Sequence, residues 1–265
     1  MKKDQIPYFY NWFKNHVNKF YCEDSYINQN IKLKEDHTLR VCKNIIGISK
    51  SLNLCKNDIL LAEVLALFHD IGRFEQFQKY KTFNDKKSVN HAELGIEIIK
   101  KKNVLSKLPQ EEEKLIIKAI KFHNMIKLPD KKDDRIIFFS KLIRDADKLD
   151  IFYVLTSYYS SKDNGSNPAL DLDRPDTKEY SKEIIKDILE NKSSNLKHVK
   201  TINDFKLLQV SWIFDINFSY SIKHIVKKKY IEKIINTLPH SAPIKQTHIH
   251  INDYMSNKFG ISKIH

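Results

Sequence analysis

The chain has 265 residues, 41% of them hydrophobic, and a formal charge of +13. That length supports one sizeable core, or one core with a helical appendage, and 5 Gly and 7 Pro are too few for many short strands joined by tight turns. Three widely spaced cysteines, Cys22, Cys42 and Cys55, form no Cys-x-x-Cys pair; they argue against a disulfide-stapled fold and read as reduced, mostly buried thiols in a cytoplasmic protein.

In chain order, aromatic and apolar residues at helical spacing predict a first helix over 8–21. Glu35, Asp36 and His37 open a second, with Asp36 as its N-cap and Leu39, Val41, Ile45, Ile46 and Ile48 on its apolar side. Asp58 caps a third, which is apolar almost all round and therefore buried. It ends in His69, Asp70, Ile71 and the breaker Gly72. The polar and aromatic stretch 75–89 reads as a loop with a short helical turn. Helices follow over 91–102, from Pro109 to His123, and over 136–159. The acidic run Glu111–Glu113 suits the positive end of its helix dipole.

The chain turns polar at 160–176, with Asn164-Gly165 and two prolines, and reads there as a loop. Two more helices are expected over 178–190 and 203–236. An irregular tail follows Pro239, with His248 and His250 alternating in a short strand. The fold class is all-α, in two parts. Residues 1–160 form a helical core that includes the N-terminal helix, and residues 161–265 supply further helices packed on the same core.

Residues 1–20 lack the uninterrupted apolar core of a signal peptide. No charge-free apolar stretch is long enough to span a bilayer, so a membrane partner is not expected. Lys, Asn and Ile are abundant throughout, and runs such as 100–102 and 227–229 read as solvated helix faces. The basic balance leaves nucleic acid open as a partner without favouring it. The aromatic first helix and the late helices offer a face for a homodimer.

Chemistry concentrates in His37, His69, Asp70, His91, His123 and Asp147, all beside apolar helical sequence. Any one of these histidines taken alone reads as a hydrogen-bonded core residue. Carboxylates beside apolar helices are costly to bury, and a metal offsets that cost. Imidazole with carboxylate suits Mn, Fe, Co, Ni or Zn, and Asp70 has two oxygens with which to bridge two ions.

The motif HDIGR at 69–73, preceded by His37 and followed by DADKLD at 145–150, resembles the HD superfamily of metal-dependent phosphohydrolases. The stretch 68–95 is similar to a branch of bacterial HD-domain proteins. The resemblance covers about 37–152 and implies an HD-domain helical bundle with additional C-terminal helices. It implies His37, His69, Asp70 and Asp147 as ligands of one divalent ion. His91 and His123 stand where two-metal members place extra histidines, with Asp70 bridging; in one-metal members such residues serve proton transfer or phosphate binding instead. Asp147 is preferred to Asp145, because a similar D-x-D-K-x-D string in deoxynucleotide triphosphohydrolases uses its second Asp.

The implied cofactor is one or two divalent ions, Mn, Fe, Co, Ni, Zn or Mg. The implied reaction is hydrolysis of a small-molecule phosphate ester, nucleotide-like, by metal-activated water. Asp70, Arg73 and Lys148 are the candidate catalytic residues, with the last two set against phosphoryl charge. Lys148 reads equally as a solvated helix lysine or an Asp partner, and Arg73 as a salt-bridge partner of Glu75 or Asp85. Asp150 is a candidate to orient a ligand. Asn124 after His123, and Arg73-Phe74-Glu75 after the HD, depart from the cyclic-dinucleotide and alarmone branches. An inactive sensor or scaffold, and a basic-surface nucleic-acid binder or nuclease, are the alternatives.

Overall fold

The structure is a computed structural model that describes residues 1–130, 133–160, 170 and 174–260. Among the described residues it is built of helices with no strand, an all-α fold. It divides into two compact units, Met1–Asp150 and Ile151–His265.

The first unit contains α1 (Ile6–Val17), α2 (Ser25–Ser51), α3 (Lys56–Phe68), α4 (Gly72–Tyr80), α5 (His91–Lys101), α6 (Gln110–His123) and the first part of α7 (Asp134–Ser160). Leu61, Ala62, Val64, Leu65, Ala66, Leu67 and Phe68 are all buried, which leaves α3 little polar surface and puts it at the centre. The long helix α2 lies along it, and α1 and α6 pack on it as well. Burying each Leu- or Phe-sized side chain contributes roughly 1.5–3 kcal/mol. Aromatic edges close the α1 side, with Phe9 on Phe68 at 6.0 Å and Phe13 on Phe74 at 5.8 Å between centroids.

Several boundaries differ from the expectation. The second helix starts at Ser25, where the Asp24 carboxylate accepts from the backbone N–H of Tyr26 and Ile27. Asp36 lies inside it and pairs with Lys32 at 2.7 Å. The expectation overlooked that Ile27 and Ile31 continue the buried row of Val41, Ile45 and Ile48. Asp58 is likewise inside the first turn of α3, paired with Arg135. Gly72 ends nothing: the chain turns through 69–71 and re-enters a helix at Gly72. Phe74 and Phe77 are buried there, one turn apart. Of the cysteines only Cys42 is buried, while Cys22 and Cys55 are exposed.

The second unit holds α8 (Lys182–Leu189), α9 (Ile202–Ser211), α10 (Ser219–Lys228), α11 (Tyr230–Ile235) and α12 (Ala242–Phe259). The single helix expected over 203–236 is broken by a 3₁₀ turn at Trp212–Asp215 and by Lys229, whose φ of 54° is left-handed. The expected tail strand is instead helix α12, capped by Ser241 with a proline in its first turn. Its buried positions, Ile244, Thr247, Ile251 and Met255, recur at helical spacing, and that period outweighs the local alternation around His248 and His250. The loop expected over 160–176 lies largely outside the described residues.

Two glycines let α4 and α5 approach closely. A Cβ on Gly72 would stand 2.2 Å from the His91 carbonyl oxygen and 2.7 Å from the Gly95 nitrogen, both backbone atoms that cannot swing aside. A Cβ on Gly95 would first meet the Ile71 side chain, at 3.2 Å. Gly72→Ala is therefore expected to cost about 1–3 kcal/mol by overpacking, and Gly95→Ala less. Urea denaturation of the two variants against wild type measures the difference.

Candidate metal centre

Helix ends bring the six sequence-selected side chains together. His69 follows α3 and Asp70 follows it in the turn, His91 is the first residue of α5, and His123 is the last of α6. His37 comes from within α2, and Asp147 from within α7. Their donor atoms fall into three overlapping groups within 4.8 Å: His37, His69 and Asp70; His69, His123 and Asp147; Asp70, His91 and His123. All are buried except Asp147, whose side chain keeps 20% exposure.

Each imidazole is held through Nδ1. His69 Nδ1 donates to the Ala66 carbonyl at 2.7 Å, and His123 Nδ1 to the Ile120 carbonyl at 2.6 Å. His37 Nδ1 contacts Asp150 Oδ2 at 2.7 Å, and His91 Nδ1 contacts Asp85 Oδ2 at 2.7 Å. Carbonyls and carboxylates only accept, so a neutral ring in any of these places carries its hydrogen on Nδ1 and a lone pair on Nε2. All four Nε2 atoms face the same region. Those of His37 and His69 are buried and face Asp147 Oδ1, and those of His91 and His123 confront each other at 3.1 Å. At that distance the two nitrogens either share a proton, one ring donating to the other, or face a common cation.

The spacing suits two cation positions that share Asp70. Around its Oδ2 stand His37 Nε2 at 3.5 Å and His69 Nε2 at 3.7 Å, and these lie 3.1 and 3.7 Å from Asp147 Oδ1. Around its Oδ1 stand His91 Nε2 at 3.3 Å and His123 Nε2 at 3.8 Å. Donors about 2.0–2.2 Å from a common ion are separated by distances of this order. The donor set fits divalent metal binding.

The electrostatics follow. Burial opposes the Asp70 charge, yet Lys34 and the surrounding imidazoles hold its carboxyl well below the usual range. Burial opposes Asp147 as well, and His37 and His69 hold it down. For His37, burial and Lys34 both oppose protonation, but hydrogen bonding to Asp147, Asp150 and Asp70 outweighs them and pushes the ring up to about 10. Burial and the Arg73 guanidinium push His91 down to about 3, against the pull of Asp85 and Asp70.

Arg73 Nη1 donates to Gln76 Oε1, the Phe83 carbonyl and Asp85 Oδ1, so its carboxylate partner is Asp85 rather than Glu75; its Nε lies 3.6 Å from Asp70 Oδ1. Lys148 is half-buried beside Asp147. Asp145 is buried two residues earlier, about 200° around the helix from Asp147. Sequence reasoning missed Lys34, whose Nζ is 2.7 Å from Asp70 Oδ2. It also missed Arg40, which donates to Asp150, and Arg144, which donates to the carbonyls of His123 and Met125 and so anchors the end of α6. Arg40 stands one helical turn after His37, a signal that was available. The Asp85 pairing with His91 had none, since it depends on how 82–90 folds back.

Residues 35–151 match the family model described as HD domain. The all-helical unit with its buried His and Asp cluster accords with that match, which supports an HD domain over this segment of the chain. Comparison with curated proteins finds no match, and comparison with solved structures finds none.

Two outcomes are expected. Asp85→Asn presents an amide N–H to His91 Nδ1 and favours the wrong tautomer. Affinity for an ion at the His91 and His123 pair should fall about 10–100-fold while the His37 and His69 pair keeps its ion, as manganese stoichiometry would show. Since His37 is protonated below about 10, a cation must displace its proton at neutral pH. Metal affinity should therefore rise with pH across the neutral range. Calorimetry in buffers of different ionisation heat should find about one proton released with the ion that His37 binds.

Proposed function

We propose that this chain is a metal-dependent phosphohydrolase that cleaves a phosphomonoester or phosphodiester bond in a small, nucleotide-like substrate. One observation carries the reading: four imidazoles pinned through Nδ1 aim their Nε2 atoms at the two oxygens of a single buried carboxylate, Asp70. A scaffold has no use for so costly a convergence of buried imidazoles and carboxylates. A cation site open on one side does use it.

His37, His69, Asp70 and Asp147 are assigned to one divalent ion, and Asp70, His91 and His123 to a second. The nitrogen-rich donor set favours Mn, Fe, Co, Ni or Zn over Mg. Divalent ions held there would make water acidic enough to yield hydroxide near neutrality and offset charge on phosphoryl oxygens. Asp150 and Asp85 fix the orientation and tautomer of His37 and His91. Among the six, only Asp147 keeps appreciable exposure, so the substrate approaches from its side, where Lys148 is half-buried. Lys148 is assigned to phosphoryl charge. Arg73 is assigned first to Asp85 and, through its buried Nε near Asp70, to the field of the site. Among the described residues no helix is long and apolar enough to cross a membrane, and we place the reaction in the cytoplasm.

Manganese-loaded protein assayed on generic phosphomonoesters, phosphodiesters and a nucleotide panel tests the proposal. Asp70→Ala is expected to lower turnover at least about 100-fold and to abolish ion binding. Equal turnover by the two proteins overturns the assignment.

A further inference from the structure

The row of α2 that faces the interior runs Ile27, Ile31, Lys34, Thr38, Val41, Ile45 and Ile48, and every member but Lys34 is fully buried. A lysine in such a row needs a reason. Its Nζ lies 2.7 Å from Asp70 Oδ2, the oxygen that His37 and His69 also face, and 5.3 Å from the centroid of the Phe83 ring. The Lys34 side chain keeps 17% exposure against 5% for Asp70, so the lysine reaches solvent more than the carboxylate it pairs with.

An ammonium and a divalent ion on one carboxylate oxygen repel each other. Lysine is a point charge on a flexible stem, so it can yield the oxygen provided another anion receives it. A phosphoryl group entering from the exposed side is such an anion.

We propose that Lys34 competes with a divalent cation for Asp70 and thereby couples ion uptake to phosphate binding. This rests on the reading of the site as a metal-dependent phosphohydrolase centre. With Lys34 on Oδ2 the carboxylate is satisfied and the ion binds weakly. When phosphate draws the ammonium away, the oxygen is released to the ion. By linkage, each ligand raises the affinity for the other. Lys34 is thus a positioning residue for ion loading, distinct from the histidines that hold the ion.

Calorimetric titration of the full chain with micromolar manganese, with and without saturating inorganic phosphate, tests this. Phosphate is expected to tighten manganese binding about tenfold or more in wild type. Lys34→Met and Lys34→Gln should bind manganese about tenfold tighter than wild type without phosphate, and phosphate should then change their affinity less than about threefold. Lys34→Arg keeps the charge and should keep the coupling. Far-ultraviolet circular dichroism identifies which neutral variant is folded and informative. Equal manganese affinity in wild type and a folded neutral variant, or an undiminished phosphate effect in that variant, overturns the role of Lys34 alone. A wild type that takes up no manganese in either condition overturns the metal reading and this inference together.

Discussion

A carboxylate is held almost out of water at the meeting point of several helices, and the first unit is organised around satisfying it. Asp70 is 4% exposed. An isolated buried charge of this kind would neutralise itself or unfold its surroundings. Instead, cationic and imidazole groups converge on both of its oxygens. Helix termini make this convergence feasible. A side chain at a terminus can point along the helix axis into a common space while the rest of the helix keeps its backbone hydrogen bonds. The close approach of α4 to α5 at Gly72 and Gly95 brings His91 within reach of a residue that sits just before α4.

The four imidazoles are pinned in two different ways. His69 and His123 each donate to a carbonyl three residues earlier, Ala66 and Ile120. Those pins are local: helix geometry alone supplies them, and any state in which α3 and α6 exist already has them. His37 and His91 depend on carboxylates set by tertiary structure, Asp150 from α7 and Asp85 from the segment between α4 and α5. Each of those carboxylates is steadied in turn by an arginine, Arg40 or Arg73. Each Asp70 oxygen is therefore faced by one imidazole oriented by its own helix and one oriented by a distant chain segment. The His91 side rests on a short 3₁₀ turn at Asp85–Lys87, whereas the His37 side rests on two long helices.

Much of this was legible in the sequence, for a physical reason. Buried helices announce themselves by period, so α3, α5, α6 and α7 were placed from their apolar residues. The six His and Asp residues stood out because each is polar beside an apolar run. Where two periods compete the reading failed. His248 and His250 alternate with isoleucines over four residues, but the buried set of α12, from Ile244 to Met255, repeats over twelve, and the longer pattern wins because burial of a whole face outweighs a local preference. α4 was missed because its glutamines and charges masked two phenylalanines one turn apart. Lys34 was missed because a lysine on a helix is by default read as solvated, although the row it occupies was visible once Ile27 and Ile31 were counted with Val41.

The same residues explain why the overall charge of +13 says little about chemistry. Lys32 and Asp36 pair on an exposed face, where such a contact is worth about 0–1 kcal/mol. Lys34, two residues on, meets a buried acid. At the centre Asp70, Asp147 and Asp150 all approach His37, while Lys34, Arg40 and Arg73 pair with the acids around it. Hydrogen bonding to Asp147, Asp150 and Asp70 is the physical reason His37 holds a proton up to about 10 against full burial and Lys34. A cation that takes the place of that proton at Nε2 would face two of the same carboxylates, Asp70 and Asp147. A divalent ion carries more charge than the proton it would displace, so its binding would shift this region towards positive charge, the direction that the proposed phosphate-ester substrate calls for.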